Sequence, residues 1–233
     1  MNIDITPSGI SIQAMDNSHV ALVSLILSVE GFESYSCKKP NTIGLNLSNL
    51  YKVIKLGDND DSMTLKAEED PSVLTVMFEN PKRGRSAEFN VSLINIDNEN
   101  LNISENENGS TLVMSSSEFS KIVRELYQIS ESLNIETCSE FIKFFVDGDC
   151  GSGCLKLVPT DSMDREDTIT LTTQDPVSQD FTLRYITMFT KASSLSNQVE
   201  LQLSNESPMM LKYNISSLGY IEFYLAPKIS EDS

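Results

Sequence analysis

Six of the chain's 17 basic residues fall in three short stretches that read as helices: Lys52 and Lys55, Lys121 and Arg124, Arg184 and Lys191. Lys121 and Arg124 are spaced i, i+3, and Arg184 and Lys191 i, i+7, so each pair shares a helix face. Amines and guanidiniums spaced along a helix suit contacts with phosphate oxygens, which carry no base information and weaken with salt. They do not suit bond-making chemistry. His19 is the only histidine, with no candidate nucleophile at a recognisable spacing for a Ser-His-Asp or Cys-His site. Neither a phosphate-binding G-x-x-x-x-G-K-[ST] loop nor a G-x-G-x-x-G turn after a strand occurs.

Metal chemistry is equally thin. Cys150 and Cys154 form one C-x₃-C without a matching pair or a nearby histidine, a poor zinc set, and with Cys37 and Cys138 they read as reduced thiols. The acidic run at Asp58, Asn59, Asp60 and Asp61 lacks the glycine and glutamate of a calcium loop and reads as a solvated turn. No cofactor, metal or catalytic residue is therefore assigned. A hydrolase built on a carboxylate pair is the competing class, and no motif supports it.

The elements that must position the basic residues come as a repeat. The stretch from Leu47, "LSNLYKVIKLGDNDDSMTLKAEEDPSVLTVMFE", aligns without a gap with "LRYITMFTKASSLSNQVELQLSNESPMMLKYNI" from Leu183. Leu47 meets Leu183, Lys55 meets Lys191, and Met63-x-Leu65 meets Val199-x-Leu201. Each copy reads as a short amphipathic helix followed by two strands. Upstream, "IDITPSGISIQAMD" from Ile3 pairs with "IETCSEFIKFFVDG" from Ile135, two alternating strands around a turn. The second copy is preceded by a strand and a helix whose stripe is Phe119, Ile122, Val123, Leu126 and Ile129, with Ser116 or Ser117 as its cap. By that comparison the first copy lacks its opening strand and helix, roughly two dozen residues. The stretch 94–110, rich in Asn and Glu, is long for a connector. Leu101 and Ile103 are its candidates for docking. The expected organisation is a domain at 1–93, a connector at 94–110 and a second domain at 111–233, in the α+β class.

Length, composition and charge bound the rest. The chain has 233 residues, 34 acids against 17 bases, and a net charge of −17. Such a balance opposes indiscriminate nucleic-acid binding and confines any DNA contact to a local basic face. No apolar run approaches the roughly 20 residues of a membrane-spanning helix. The opening residues have neither the basic nor the apolar region of a signal peptide. The final strand, "LGYIEFYLAPKI", carries Tyr224, Pro227 and Ile229 almost to the chain's end, where polar tails are usual.

Taken in order, "GISIQAMDNSHVALVSL", "EGFESYSC", "GLNLSNLYKVIK", "SSEFSKIVRELYQI", "GDCGSG", "LRYITMFTKASSLS" and "LGYIEFYLAPKI" resemble the eukaryotic sliding-clamp family, the proliferating cell nuclear antigens, over nearly the whole chain. The resemblance implies a DNA-clamp fold: two tandem copies of antiparallel sheets with inner helices, three chains closing into a homotrimeric ring around double-stranded DNA. It implies a nuclear, non-enzymatic processivity factor for replication and repair, acting without a membrane. Partners would be a clamp loader, DNA polymerase delta, flap endonuclease and DNA ligase, the enzymes docking by short peptides. On the resemblance Lys52, Lys55, Lys121, Arg124, Arg184 and Lys191 touch phosphates. The partner-peptide pocket is Met15, His19, Val20, Leu22, Leu101, Ile103, Pro208, Tyr224, Leu225, Ala226, Pro227 and Ile229. Subunits join through "SAEFNVSL" (86–93) and "GCLKLVPT" (153–160), with Arg85, Phe89, Val91, Gly153, Leu155 and Leu157 at the contact. Three departures stand out: the opening strand and helix are missing, Ser139 occupies the position of the family's regulatory modified lysine, with Lys143 nearby, and Ser104 replaces the connector's proline. The alternative is a truncated or divergent relative that binds partner peptides without encircling DNA.

Overall fold

Alternating apolar and polar residues dominate the chain, and in the computed structural model they become, among the described residues, sixteen β-strands with three short α-helices. The structure describes residues 1–69, 71–96, 109–161 and 168–228. Among them no helix is long and apolar enough to cross a membrane. The chain groups into two units: Met1–Ala14 with Ile26–Leu101, and Met15–Leu25 with Asn102–Ser233. The short segment Met15–Leu25 thus belongs with the second unit although it lies early in the sequence.

In the first unit β1 (Asn2–Thr6) pairs antiparallel with β2 (Gly9–Met15) and β4 (Asn41–Gly44). The β1–β2 turn brings Gly9 to φ +140, where an added Cβ would stand 2.1 Å from the Leu27 carbonyl oxygen, so only glycine fits. Helix α1 (Leu47–Ile54) starts at Asn46, whose side chain accepts from the Ser48 and Asn49 N–H groups. A second sheet runs β5 (Ser62–Lys66), β6 (Val73–Asn80), β7 (Arg85–Ser92). Leu45, Leu50, Leu74, Val76, Phe78 and Val91 form the core between these layers.

The second unit repeats this plan and completes it. One sheet is ordered β11 (Gly151–Leu157), β10 (Ile142–Gly148), β9 (Ser132–Thr137), β13 (Val177–Thr182). The other is ordered β12 (Thr170–Thr173), β8 (Ser110–Ser115), β14 (Gln198–Ser204), β15 (Ser207–Ile215), β16 (Gly219–Leu225). Helix α2 (Ser116–Leu126) and helix α3 (Leu183–Phe189), continued by a 3₁₀ stretch at Thr190–Leu195, pack on them. β3 (Ala21–Ser28) begins in the segment that groups here.

The α2 stripe is buried at Phe119, Ile122, Val123 and Leu126, as its spacing predicts. Ile129 lies beyond the helix end and only flanks the core. The expected cap at Ser116 or Ser117 is corrected to Ser115, which makes no side-chain capping bond. Ser116 is inside the helix, and its buried hydroxyl donates to the Ser193 carbonyl at 3.0 Å and to the Ser196 carbonyl. Buried hydroxyls need partners, and the 3₁₀ stretch supplies them.

Candidate nucleic-acid face and partner-peptide surface

All six basic residues singled out by their spacing are exposed. α1 carries Lys52 within its last turn and Lys55 as its C-cap, with no acid in the helix. Lys55 lies over the Tyr51 ring at 4.6 Å from its centroid. α3 carries Arg184 and likewise no acid. Lys191 is not on α3 as the spacing suggested, because the helix ends at Phe189 and Lys191 sits in the 3₁₀ stretch that follows. α2 differs from both: Glu118 and Glu125 accompany Lys121 and Arg124, and Lys121 approaches Glu125 at 3.9 Å. That i, i+4 pair is solvent-exposed and worth only a few tenths of a kcal/mol, so the lysine is easily diverted to another anion.

The tail and the turn before β3 meet in the second unit. The Ala226 N–H donates to the Val20 carbonyl at 2.9 Å, and the Lys228 N–H to the Asp180 carbonyl at 2.7 Å. Of the residues assigned to the pocket by resemblance, His19 and Pro208 are exposed, and Met15, Val20, Tyr224, Ala226 and Pro227 are half-buried. Leu22 and Leu225 are buried beneath them. Leu101, Ile103 and Ile229 lie outside the described residues. Tyr224 donates its hydroxyl to Glu222 at 3.0 Å.

Asp16 holds this turn together, and nothing in its spacing drew attention to it. One carboxylate oxygen accepts the Val20 and Ala21 N–H groups, each at 2.8 Å. The other accepts the Ser18 hydroxyl at 2.7 Å and the Tyr185 hydroxyl at 3.0 Å. These bonds let His19 sit in the left-handed region at φ 57, unusual for a residue with a side chain. Desolvation opposes ionisation of Asp16, yet the hydrogen bonds from Ala21, Ser18, Val20 and Tyr185 outweigh it and hold the carboxyl well below the usual carboxylate range. A depressed folded-state pKa stabilises the fold above the unfolded value near 4 and loses that effect as pH falls through the folded value. Asp16→Ala is expected to cost about 2 kcal/mol in urea denaturation at pH 7, hydrogen bonds to a charged group being the strong ones. The gap between variant and parent should narrow steadily below about pH 4.

The acidic run is the exposed turn its composition predicts, and its carboxylates are tied to neighbouring side chains. Asp58 takes Arg85 at 2.8 Å and Arg83 at 3.0 Å, while Asp61 accepts from the Asn80 side chain at 2.9 Å and from the Asp58 N–H at 3.0 Å. Arg85 also donates to the Leu56 carbonyl at 3.0 Å, so this interface candidate is anchored to its own chain. Phe89 is half-buried against Phe78, and Val91 is buried. Gly153, Leu155 and Leu157 are half-buried on β11, the two leucines against the second unit's core. Ser139 is exposed in a bend. The amine of Lys143 bonds Glu136 at 2.9 Å, an interaction that raises its pKa. A protonated, engaged amine is a poor nucleophile for acyl modification.

Two tandem units, each layering short helices on antiparallel sheets, define the DNA-clamp class of α+β protein. The family model for the N-terminal domain of proliferating cell nuclear antigen matches residues 1–101, and that for its C-terminal domain matches residues 102–228. The proliferating cell nuclear antigen of Chaetomium thermophilum is 43% identical over 232 residues, covering 99% of this chain and 90% of that protein. The chain belongs to the proliferating cell nuclear antigen family, the DNA sliding clamps of replication and repair, which act as non-enzymatic processivity factors.

Proposed function

We propose that three copies of this chain close head to tail around duplex DNA in the nucleus and tether replication and repair enzymes through the surface at Val20, Tyr224 and Pro227. The observation that carries this reading is the exposure of all six helix-borne bases on a chain of net charge −17. Lys55 and Lys191 stand at equivalent positions of the two repeats, Lys55 as the C-cap of α1 and Lys191 in the 3₁₀ stretch after α3, and neither helix carries an acid. Such residues grip phosphates without reading bases, so every register of the duplex has nearly equal energy and the ring slides. The acidic remainder repels DNA from the other surfaces.

Closure has matching edges. β7 ends the first unit's three-stranded sheet and β11 ends a sheet of the second unit, so each leaves one side without a strand partner among the described residues. Joining two different edges head to tail closes a ring and covers strands that otherwise invite aggregation. The tethered enzymes are, on family grounds, DNA polymerase delta, the flap endonuclease and DNA ligase, with a clamp loader opening the ring.

Sedimentation equilibrium at micromolar concentration is expected to give three times the chain mass of 25.9 kDa. Polymerase extension on a primed circle should then become processive once the clamp is loaded. A monomer that still binds partner peptides, with no gain in processivity, would replace this reading with that of a peptide-binding relative that does not encircle DNA.

A further inference from the structure

The turn between β2 and β3 groups with the second unit, yet its own residues offer little to pack with. Asn17, Ser18 and His19 are all exposed, and His19 keeps its left-handed backbone. A residue with a side chain holds that conformation when its surroundings enforce it. Asp16 closes the turn on itself: its N–H donates to the Ala21 carbonyl at 2.9 Å, and its carbonyl accepts the His19 N–H at 3.0 Å. These local bonds set the turn's shape. They do not set where the turn stands on the second unit.

Its place comes from distant parts of the chain. The tail contributes the Ala226 N–H, donated to the Val20 carbonyl. Helix α3 contributes the Tyr185 hydroxyl, which donates to the Asp16 carboxylate at 3.0 Å and lies 3.4 Å from the Ser18 hydroxyl. Tyr185 is half-buried and packs against the second unit's core, so its hydroxyl is a fixed point. The last strand has separate support from the same helix, because Phe223 stacks on Phe189 with ring centroids 4.7 Å apart. α3 therefore holds both parts of the partner surface, the turn by a hydroxyl and the last strand by a ring. Arg184, the residue before Tyr185, remains exposed.

We infer that Tyr185 is a positioning residue for partner-peptide binding: its hydroxyl holds Asp16, and through Asp16 it fixes His19 and Val20 where a docked peptide meets them. This rests on the partner surface proposed above and adds a residue outside that surface on which it depends. A phenyl ring would fill the same space but offer Asp16 no donor. The carboxylate oxygen would then keep the Ser18 N–H and hydroxyl, which belong to the turn and move with it. A peptide that meets a turn already in place does not have to order it, and such pre-organisation appears as affinity.

The probe is a labelled docking peptide of the flap endonuclease, titrated into the intact chain by fluorescence anisotropy. Tyr185→Phe is expected to weaken binding by about fivefold or more. Exchange of the Ala226 amide, which is bonded to Val20, should speed up in the same variant. Exchange in β9 and β10 should not change, because the ring stays in the core. Adding Tyr185→Phe to Asp16→Ala should cost no further affinity, since the hydroxyl acts through that carboxylate. Tyr224→Ala serves as the control for the surface itself. Affinity lost in Tyr224→Ala but kept in Tyr185→Phe would overturn the inference and leave the partner surface standing. Affinity kept in both variants would overturn the partner surface and the inference with it. An equal loss from Tyr185→Phe with and without Asp16 would also overturn the inference, as would faster exchange throughout β9 and β10, which would make the hydroxyl a general prop of the fold.

Discussion

Replacing Lys52, Lys55, Lys121, Arg124, Arg184 and Lys191 together with alanine is expected to lower clamp-dependent processivity by about 100-fold or more at physiological salt. The reason is counterion release: each phosphate that a base no longer neutralises lowers the slope of log affinity against log salt by about 0.9. The same change should leave stability nearly unaltered, because all six side chains are exposed and the one ion pair they make among the described residues, Lys121 with Glu125, is weak. The contributions should be unequal. Lys55 and Lys191 leave helices without acids, whereas Lys121 and Arg124 share α2 with Glu118 and Glu125. Glu118→Gln with Glu125→Gln should therefore strengthen DNA retention, a gain that mere loss of fold cannot imitate. A sixfold variant with unchanged processivity and an unchanged salt slope would remove the helices from the DNA contact.

Tyr224→Ala is expected to weaken binding of an aromatic-bearing partner peptide by about 30-fold or more, equivalent to about 2 kcal/mol, the scale of an aromatic hot spot. Tyr224 is half-buried on the last strand, two residues before the backbone bond from Ala226 to Val20 that joins tail to turn. Truncation removes the area the ring presents without touching Leu225, which is buried in the core. Loading onto DNA and the solution mass should not change. Tyr224→Phe keeps the ring and removes the hydroxyl that donates to Glu222, so it should retain most of the affinity. Peptide affinity measured by fluorescence anisotropy that is unaffected by Tyr224→Ala would place partner binding elsewhere.

Much of the architecture was legible because its signals are local and periodic. Period-two alternation from Ile3 and from Ile135 gave paired strands, and the 3.6-residue spacing from Phe119 to Leu126 gave a helix with that face buried. The gapless match of Leu47 onto Leu183 revealed the repeat without any reference to three dimensions. The bases on the helices were equally plain, since a charged side chain off an apolar stripe has nowhere to go but solvent.

Other features needed the tertiary structure. Helix ends did, because a polar cap and a tertiary hydroxyl bond look alike in sequence: Ser116 bonds Ser193 and Ser196 rather than capping α2. Asp16 did, because its partners include Tyr185, 169 residues away. The grouping of Met15–Leu25 with the second unit did, because strand partnership depends on which edges meet and not on chain order. By itself the sequence determined the period, the repeat, the charge balance and, through its resemblance, the family. The tertiary structure alone decided which equivalent side chains are covered, leaving Leu65 in solvent and Leu201 in the core, because burial depends on the neighbours a face meets and not on the residues that compose it.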